Sequence, residues 1–293
     1  MSHHYGRRLL GGIAGAAFLL GPQAEAASSL RFTGPTAADY DFGRVSIPID
    51  APPRPADVGQ GDFTFEFWMK ADPGTNDTTA CSTANISWIN GSIMFDRDID
   101  GPGDYGDWGI ALMNGRIGFG VSQGNGGGTA CGSTNLASST WRHVAVTRRA
   151  SDGALQIWVD GVLDGSGFGA SGDVSYRDDR ATNRFYDPTL VWGAEKHGYS
   201  GYSGFTGLVD EVRMSNVRRY TVAFTRPTQP FVADAATVAL YRLDEGAGTI
   251  ASDSSGAAGG PSHGTLREGG SPVGPLWSTD TPFDAIFRSG FEA

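Results

Sequence analysis

Alternation of apolar and polar residues is clearest at Phe63-Thr-Phe65-Glu-Phe67-Trp-Met69-Lys70, where Phe63, Phe65, Phe67 and Met69 alternate with Thr64, Glu66, Trp68 and Lys70. A period of two belongs to a β-strand, whose successive side chains point to opposite faces. The pattern predicts one face in a core and a wetter face opposite. Two hairpins are marked by their turns: Asn114-Gly115 between strands at 108–113 and 116–121, and Asp160-Gly161 between strands at 155–159 and 162–163. Both dipeptides suit two-residue turns whose central residues need positive φ. Further strands are predicted at 30–32, 44–49, 87–95, 142–149, 190–192, 207–214 and 237–243. Residues 71–85, 123–139 and 165–187 read as long loops, the usual place for binding on a rigid scaffold. There is no long amphipathic helical pattern and no internal repeat. The expected class is all-β, a two-sheet antiparallel sandwich or jelly roll.

The N-terminus adds a processing signal. Arg7 and Arg8 precede an uncharged stretch from Leu9 to Leu20, and Ala24-Glu25-Ala26 places small residues where signal peptidase reads them, predicting cleavage after Ala26. The apolar stretch is shorter than the roughly 20 residues a bilayer span needs, and no later segment approaches that length. Gly6 before the arginine pair, and Gly11 where a twin-arginine signal has its Lys, favour ordinary secretion. The expectation is a secreted or periplasmic protein with no membrane span. Loss of residues 1–26 removes Arg7, Arg8 and Glu25, so the formal charge of −10 becomes −11. An acidic surface repels phosphate backbones and argues against nucleic acid as a partner. Solubility alone would explain it, and it also suits a calcium-binding protein. Cys81 and Cys131 each lie in a Gly/Ser/Thr/Asn-rich loop of an exported chain, which predicts a disulfide.

Several stretches, in order, resemble the LamG-like domain of the concanavalin A-like lectin/glucanase superfamily. They are the 63–70 strand, Trp141-Arg-His-Val-Ala-Val-Thr147, Leu155-Gln-Ile-Trp-Val-Asp-Gly161 and Phe205-Thr-Gly-Leu-Val-Asp-Glu-Val-Arg213. Val238-Ala-Leu-Tyr-Arg-Leu-Asp-Glu-Gly246, Asp253-Ser-Ser-Gly256 and His263-Gly-Thr-Leu266 continue the match. The resemblance implies a LamG-like jelly roll over 27–270, after a signal peptide at 1–26 and before a C-terminal tail at 271–293. It implies members that bind glycans, matrix proteins or cell surfaces, often with calcium. Ile286-Phe-Arg-Ser-Gly-Phe-Glu292 is similar to a short tail on exported proteins of some Gram-negative bacteria.

Candidate chemistry begins at Asp96-Arg-Asp98-Ile-Asp100-Gly101-Pro102-Gly-Asp104-Tyr-Gly-Asp107. Carboxylates at loop positions 1, 3, 5, 9 and 12, with glycine at 6, reproduce a calcium-loop spacing, and Pro102 would give its carbonyl. The pattern departs from that loop in having Asp107 at its last position and strand-like flanks. The competing reading is a solvated acidic hairpin. The resemblance implies a second, structural calcium at Asp210, completed by carbonyls near Gly61 or Asp62; local hydrogen bonding would equally explain Asp210. For glycan contact, Tyr199 and Tyr202 offer flat apolar faces on a glycine-thinned backbone, with Asn183, Arg184 and Tyr186 as alternatives. Either tyrosine could instead fold back on the sandwich. Trp68, Trp158 and Trp192 lie within strands, where packing is the expected role.

No catalytic constellation is legible. The glucanase branch places Glu-x-Asp-x-x-Glu on one strand, and this chain has none; Glu66, Glu195, Glu211, Glu245 and Glu268 stand apart. H-E-x-x-H is absent. His143 sits where the resemblance puts a packing histidine. The reading is a non-catalytic module for carbohydrate or cell-surface glycan, assisted by calcium. An adhesive or structural protein is the alternative, ahead of a glycoside hydrolase.

Overall fold

The computed structural model describes residues 1, 27–35, 41–50, 52–99, 106–124, 126–176, 188–198 and 201–283. Two sheets face each other. The first, sheet A, has eight strands in the order β10 (Val162–Phe168), β9 (Ala154–Val159), β8 (Arg142–Arg148), β3 (Phe63–Lys70), β13 (Thr206–Ser215), β1 (Ser29–Thr33) and β17 (Leu276–Ser278), with β14 (Thr237–Tyr241) also paired to β13. Sheet B has nine: β15 (Ile250–Ala251), β16 (Gly264–Arg267), β2 (Arg44–Pro48), β11 (Thr189–Trp192), β4 (Ser92–Arg97), β5 (Asp107–Met113), β6 (Arg116–Gln123) and β7 (Gly126–Cys131), with β12 (Ser203–Gly204) beside β4. Pairing is antiparallel except between β12 and β4. Among the described residues, no helix is long and apolar enough to cross a membrane.

The core forms where the alternating residues of β3 meet sheet B. Phe65 and Phe67 pack on Phe95 with ring centroids 4.5 and 4.8 Å apart, and Phe63 meets Trp108 at 5.7 Å. Trp192 joins Phe95 to Tyr241. Burying each such ring contributes about 1.5–3 kcal/mol. Both predicted turns have positive φ, 48° and 76° at Asn114-Gly115 and 49° and 84° at Asp160-Gly161.

The wetter face predicted for β3 is dry. Thr64, Glu66 and Trp68 are buried, because residues 216–236 cross the outside of sheet A. Tyr220, Phe224 and Phe231 lie on that face, with His143 between Phe224 and Phe231 at 5.8 and 5.7 Å. Trp68, Phe231, Leu240 and Phe283 make a second apolar cluster there. Trp158 packs on Phe224 in the same layer.

Part of sheet B is covered as well. The expected strand at 87–95 is divided into a 3-10 turn, Ser87–Asn90, and β4. That turn lays the Trp88 ring on Gly109 of β5 and Gly120 of β6. A Cβ at either glycine would stand 2.2 or 2.1 Å from the indole. The loop carrying Trp88 is tied down by the Cys81–Cys131 disulfide, which forms as expected.

Three boundaries differ from the sequence reading. Residues 126–131 form β7 inside an expected loop. The second strand of the Asp160-Gly161 hairpin runs on to Phe168, past a register shift between Leu163 and Gly165. The segment read as a tail from 271 is part of the sandwich as far as 283, since β17 pairs with β1 and Phe283 packs on Trp68. Residues 2–26 and 284–293, which include most of the expected signal peptide and the Ile286–Glu292 motif, lie outside the described residues.

Candidate functional site

Register places the acidic segment on the outside of sheet B. Phe95 pairs with Trp192 and both point into the core; Asp96 pairs with Val191 one residue on, so its side chain points outward. After Trp192 the chain turns at Gly193, whose φ is 83°, and folds back over β4 before rejoining its edge as β12. A Cβ at Gly193 would stand 2.1 Å from the Phe32 ring, so the turn requires glycine twice over.

The fold-back is fastened by Asp96. Its Oδ2 accepts the Lys196 amide at 2.8 Å and its Oδ1 accepts the Asp98 amide at 2.8 Å. Arg44 donates to the Lys196 carbonyl at 3.0 Å, and the Lys196 ammonium donates to the Asp98 carbonyl. These contacts bring Asp98, Glu195 and His197 together, with one potential ligand atom of each within 4.8 Å of the others. His197 Nδ1 lies 3.4 Å from Glu195 Oε1 and 3.6 Å from Asp98 Oδ2. Glu195 Oε1 also accepts the His197 amide at 2.8 Å. The His197 side chain is fully buried, that of Glu195 is 5% exposed and that of Asp98 19%.

Burial, then the charges of Asp98 and Glu195, push the Asp96 carboxyl up to about 7. Burial, then Asp98, raises Asp107 to about 7 as well. Asp107 Oδ1 accepts the Ile99 amide at 3.0 Å.

Of the predicted calcium loop, Asp96, Asp98 and Asp107 are described, and Asp100, Pro102 and Asp104 lie outside the described residues. The three do not make an oxygen-only shell: both Asp96 oxygens and one Asp107 oxygen accept backbone amides, and an imidazole stands against Asp98. The partners gathered around Asp98 come instead from residues 195–197. The sequence offered no motif for them, because Asp96 and Lys196 are 100 positions apart.

The second calcium site is not assembled. Asp210 is fully buried on β13 opposite Trp68, with its Oδ1 accepting the Glu211 amide at 2.8 Å. Gly61 and Asp62 precede the other end of β3, about 20 Å away at roughly 3.3 Å per residue. Arg148 takes the Gly61 carbonyl at 3.2 Å, and the Asp62 carboxylate accepts the Ala150 amide at 2.7 Å. The bulge that breaks the β13–β3 register after Asp210 is where a local acceptor is needed.

Tyr202 is half-buried on the small cluster of Trp88, Ile89 and Ile93, between exposed Gly201 and Ser203. Tyr199, Asn183, Arg184 and Tyr186 lie outside the described residues. Glu66 and His143, the other buried carboxylate–imidazole pair, belong to the covered face of sheet A. Glu66 is fully buried and takes His143 Nε2 at 3.1 Å, Arg213 Nε at 2.8 Å and the Tyr220 hydroxyl at 2.8 Å. Both Glu66 oxygens are committed to partners, as expected of a carboxylate in a structural network.

Several solved structures align with this chain. A candidate carbohydrate-binding protein of Bacteroides ovatus ATCC 8483 aligns with a TM-score of 0.52 at 16% identity, over 89% of this chain and 62% of its own. This chain therefore spans less than two thirds of that protein. The mouse laminin alpha1 LG4-5 domains align at 13% identity and a TM-score of 0.41, over 78% of this chain and 53% of theirs. The CBM40 of Ruminococcus gnavus IT-sialidase, bound to alpha2,3 sialyllactose, aligns at 11% identity and 0.43, over 66% and 91%. No curated protein matches the chain. The laminin G model of the concanavalin A-like lectin/glucanases superfamily matches residues 46–221, more than half of the sequence, and the chain belongs to that superfamily.

Proposed function

We propose that this is an exported, non-catalytic module that binds carbohydrate, with Tyr202 as its described contact residue. The observation that carries the reading is the seating of Tyr202. A half-exposed ring rests on a rigid base of Trp88 and Ile93, flanked by glycine and serine, beside a fold-back rich in polar groups. A pyranose ring offers C–H faces to such an aromatic and hydroxyls to its polar neighbours. Secretion follows from the expected leader and fits the Cys81–Cys131 bond.

A glycosidase reading has less support. Asp98 and Glu195 approach each other, but His197 shares their space and Glu195 is almost enclosed, which leaves no open cleft for a scissile bond between them.

The test is a glycan array probed with the chain from residue 27 onward, in calcium and in chelator, since the 96–107 spacing predicts calcium. Binding that falls at least tenfold in Tyr202→Ala supports the reading. Silence across the array in both conditions overturns it in favour of a protein ligand.

A further inference from the structure

We infer that Asp98, Glu195 and His197 form a site for a zinc-class divalent ion rather than for calcium. Four-coordinate zinc with bonds of about 2.0–2.1 Å spaces its ligand atoms about 3.3–3.4 Å apart. His197 Nδ1 stands 3.4 Å from Glu195 Oε1 and 3.6 Å from Asp98 Oδ2. Two carboxylates can serve either ion; the imidazole decides between them. Calcium draws six to eight oxygens, whereas imidazole with carboxylate suits zinc and its d-block neighbours.

Charge points the same way. Asp96, Asp98 and Glu195 face Lys196 across the fold-back, and Asp96 and Lys196 are fully buried. A dication beside these carboxylates offsets negative charge that burial makes costly. The surroundings orient the ligands as outer-shell groups do: Glu195 accepts the His197 amide, Lys196 holds the Asp98 carbonyl, and Asp96 fixes both segments by their amides. The ion would pin the 193–198 fold-back to the end of β4.

A protonated His197 bridging the two carboxylates without any ion would also give these distances, so the experiment separates the two. Untagged protein, beginning at residue 27 and stripped with chelator, is titrated with zinc chloride and with calcium chloride, and retained metal is measured by elemental analysis after dialysis. Cobalt chloride serves as a spectroscopic stand-in. One zinc per chain, a visible cobalt band of low coordination number, and no displacement of zinc by millimolar calcium are expected. His197→Gln and Glu195→Gln should each lower zinc affinity by about tenfold to a hundredfold or more. Asp98→Asn, at the most exposed of the three ligands, gives the same readout if a buried variant fails to fold. Absence of stoichiometric zinc, zinc retained undiminished in the variants, or displacement by calcium overturns the site. The readout is the ion alone, so it stands apart from the carbohydrate test.

Discussion

Glu66 sits on the face of β3 that alternation marks as the wetter one, yet its carboxylate is enclosed. Burial works against its charge, but the hydrogen bond with His143, the Arg213 guanidinium and the Tyr220 hydroxyl together hold its pKa below the ordinary 4.5. The unfolded chain therefore binds the proton more readily. Stability from this group is present above about pH 4.5 and is lost as pH falls through the lower folded-state value. Glu66→Ala should cost about 3–5 kcal/mol in denaturant unfolding at pH 7, because it leaves the buried His143 and the half-buried Arg213 and Tyr220 without their shared acceptor. Tyr220→Phe should cost about 1 kcal/mol. The acid limb of the stability curve should be shallower in Glu66→Gln than in the parent; an unchanged limb would assign acid sensitivity elsewhere. At this scale the sequence was legible where a residue's role is local. The Phe63, Phe65, Phe67 and Met69 face could be read from alternation, and the disulfide from two loop cysteines in a chain expected to be exported. Glu195 and His197 could not be read, because only the pairing of β11 with β4 and the turn at Gly193 carry them to Asp98.

Elements announced themselves when their turns did. Asn114-Gly115 and Asp160-Gly161 fixed two hairpins, whereas β7, written Gly-Gly-Gly-Thr-Ala-Cys, has no side-chain alternation and exists through its pairing with β6. The apolar run at 87–95 concealed a change of element, since Trp88 belongs to a turn lying over the sheet rather than to the strand that follows. The same three elements make a prediction. Trp88→Ala removes a fully buried indole and should cost about 3–5 kcal/mol. Gly120→Ala fills the floor beneath that ring and should cost about 1–3 kcal/mol by overpacking. Reduction of Cys81–Cys131 releases the loop that holds Trp88 and should cost roughly 4 kcal/mol on the chain-entropy estimate. Denaturation curves in oxidised and reduced protein measure all three, and a Trp88→Ala loss within experimental error would show that the turn is dispensable to sheet B.

Across the whole molecule, the ordered motifs identified the sandwich, but one of its strands, β17, lies beyond the end at 270 that they suggested. The strand at 276–278 is short and carries no motif, so nothing before folding distinguishes it from a tail. Ending the chain after residue 270 removes the β17 partner of β1 and takes Phe283 off Trp68. Such a protein should lose several degrees in melting temperature relative to the full chain, or fail to accumulate in soluble form. A melting temperature equal to that of the parent would restore 270 as the boundary.

Much of both broad faces of the sandwich is occupied by the chain itself, the middle of sheet A by residues 216–236 and strands β4–β6 of sheet B by the Trp88 loop and the fold-back after Trp192. If the proposed ligand is a polymer, it would meet on these covered strands small stations such as Tyr202, each able to engage one or two units. Single-copy attachment to a polysaccharide should accordingly be weak and short-lived. Useful grip would come from valency: displaying many copies on one bead or cell converts each later contact into an intramolecular event, with apparent affinity rising by about a hundredfold to ten-thousandfold. Comparison of soluble monomer with bead-coupled protein on the same polysaccharide surface would read that ratio directly.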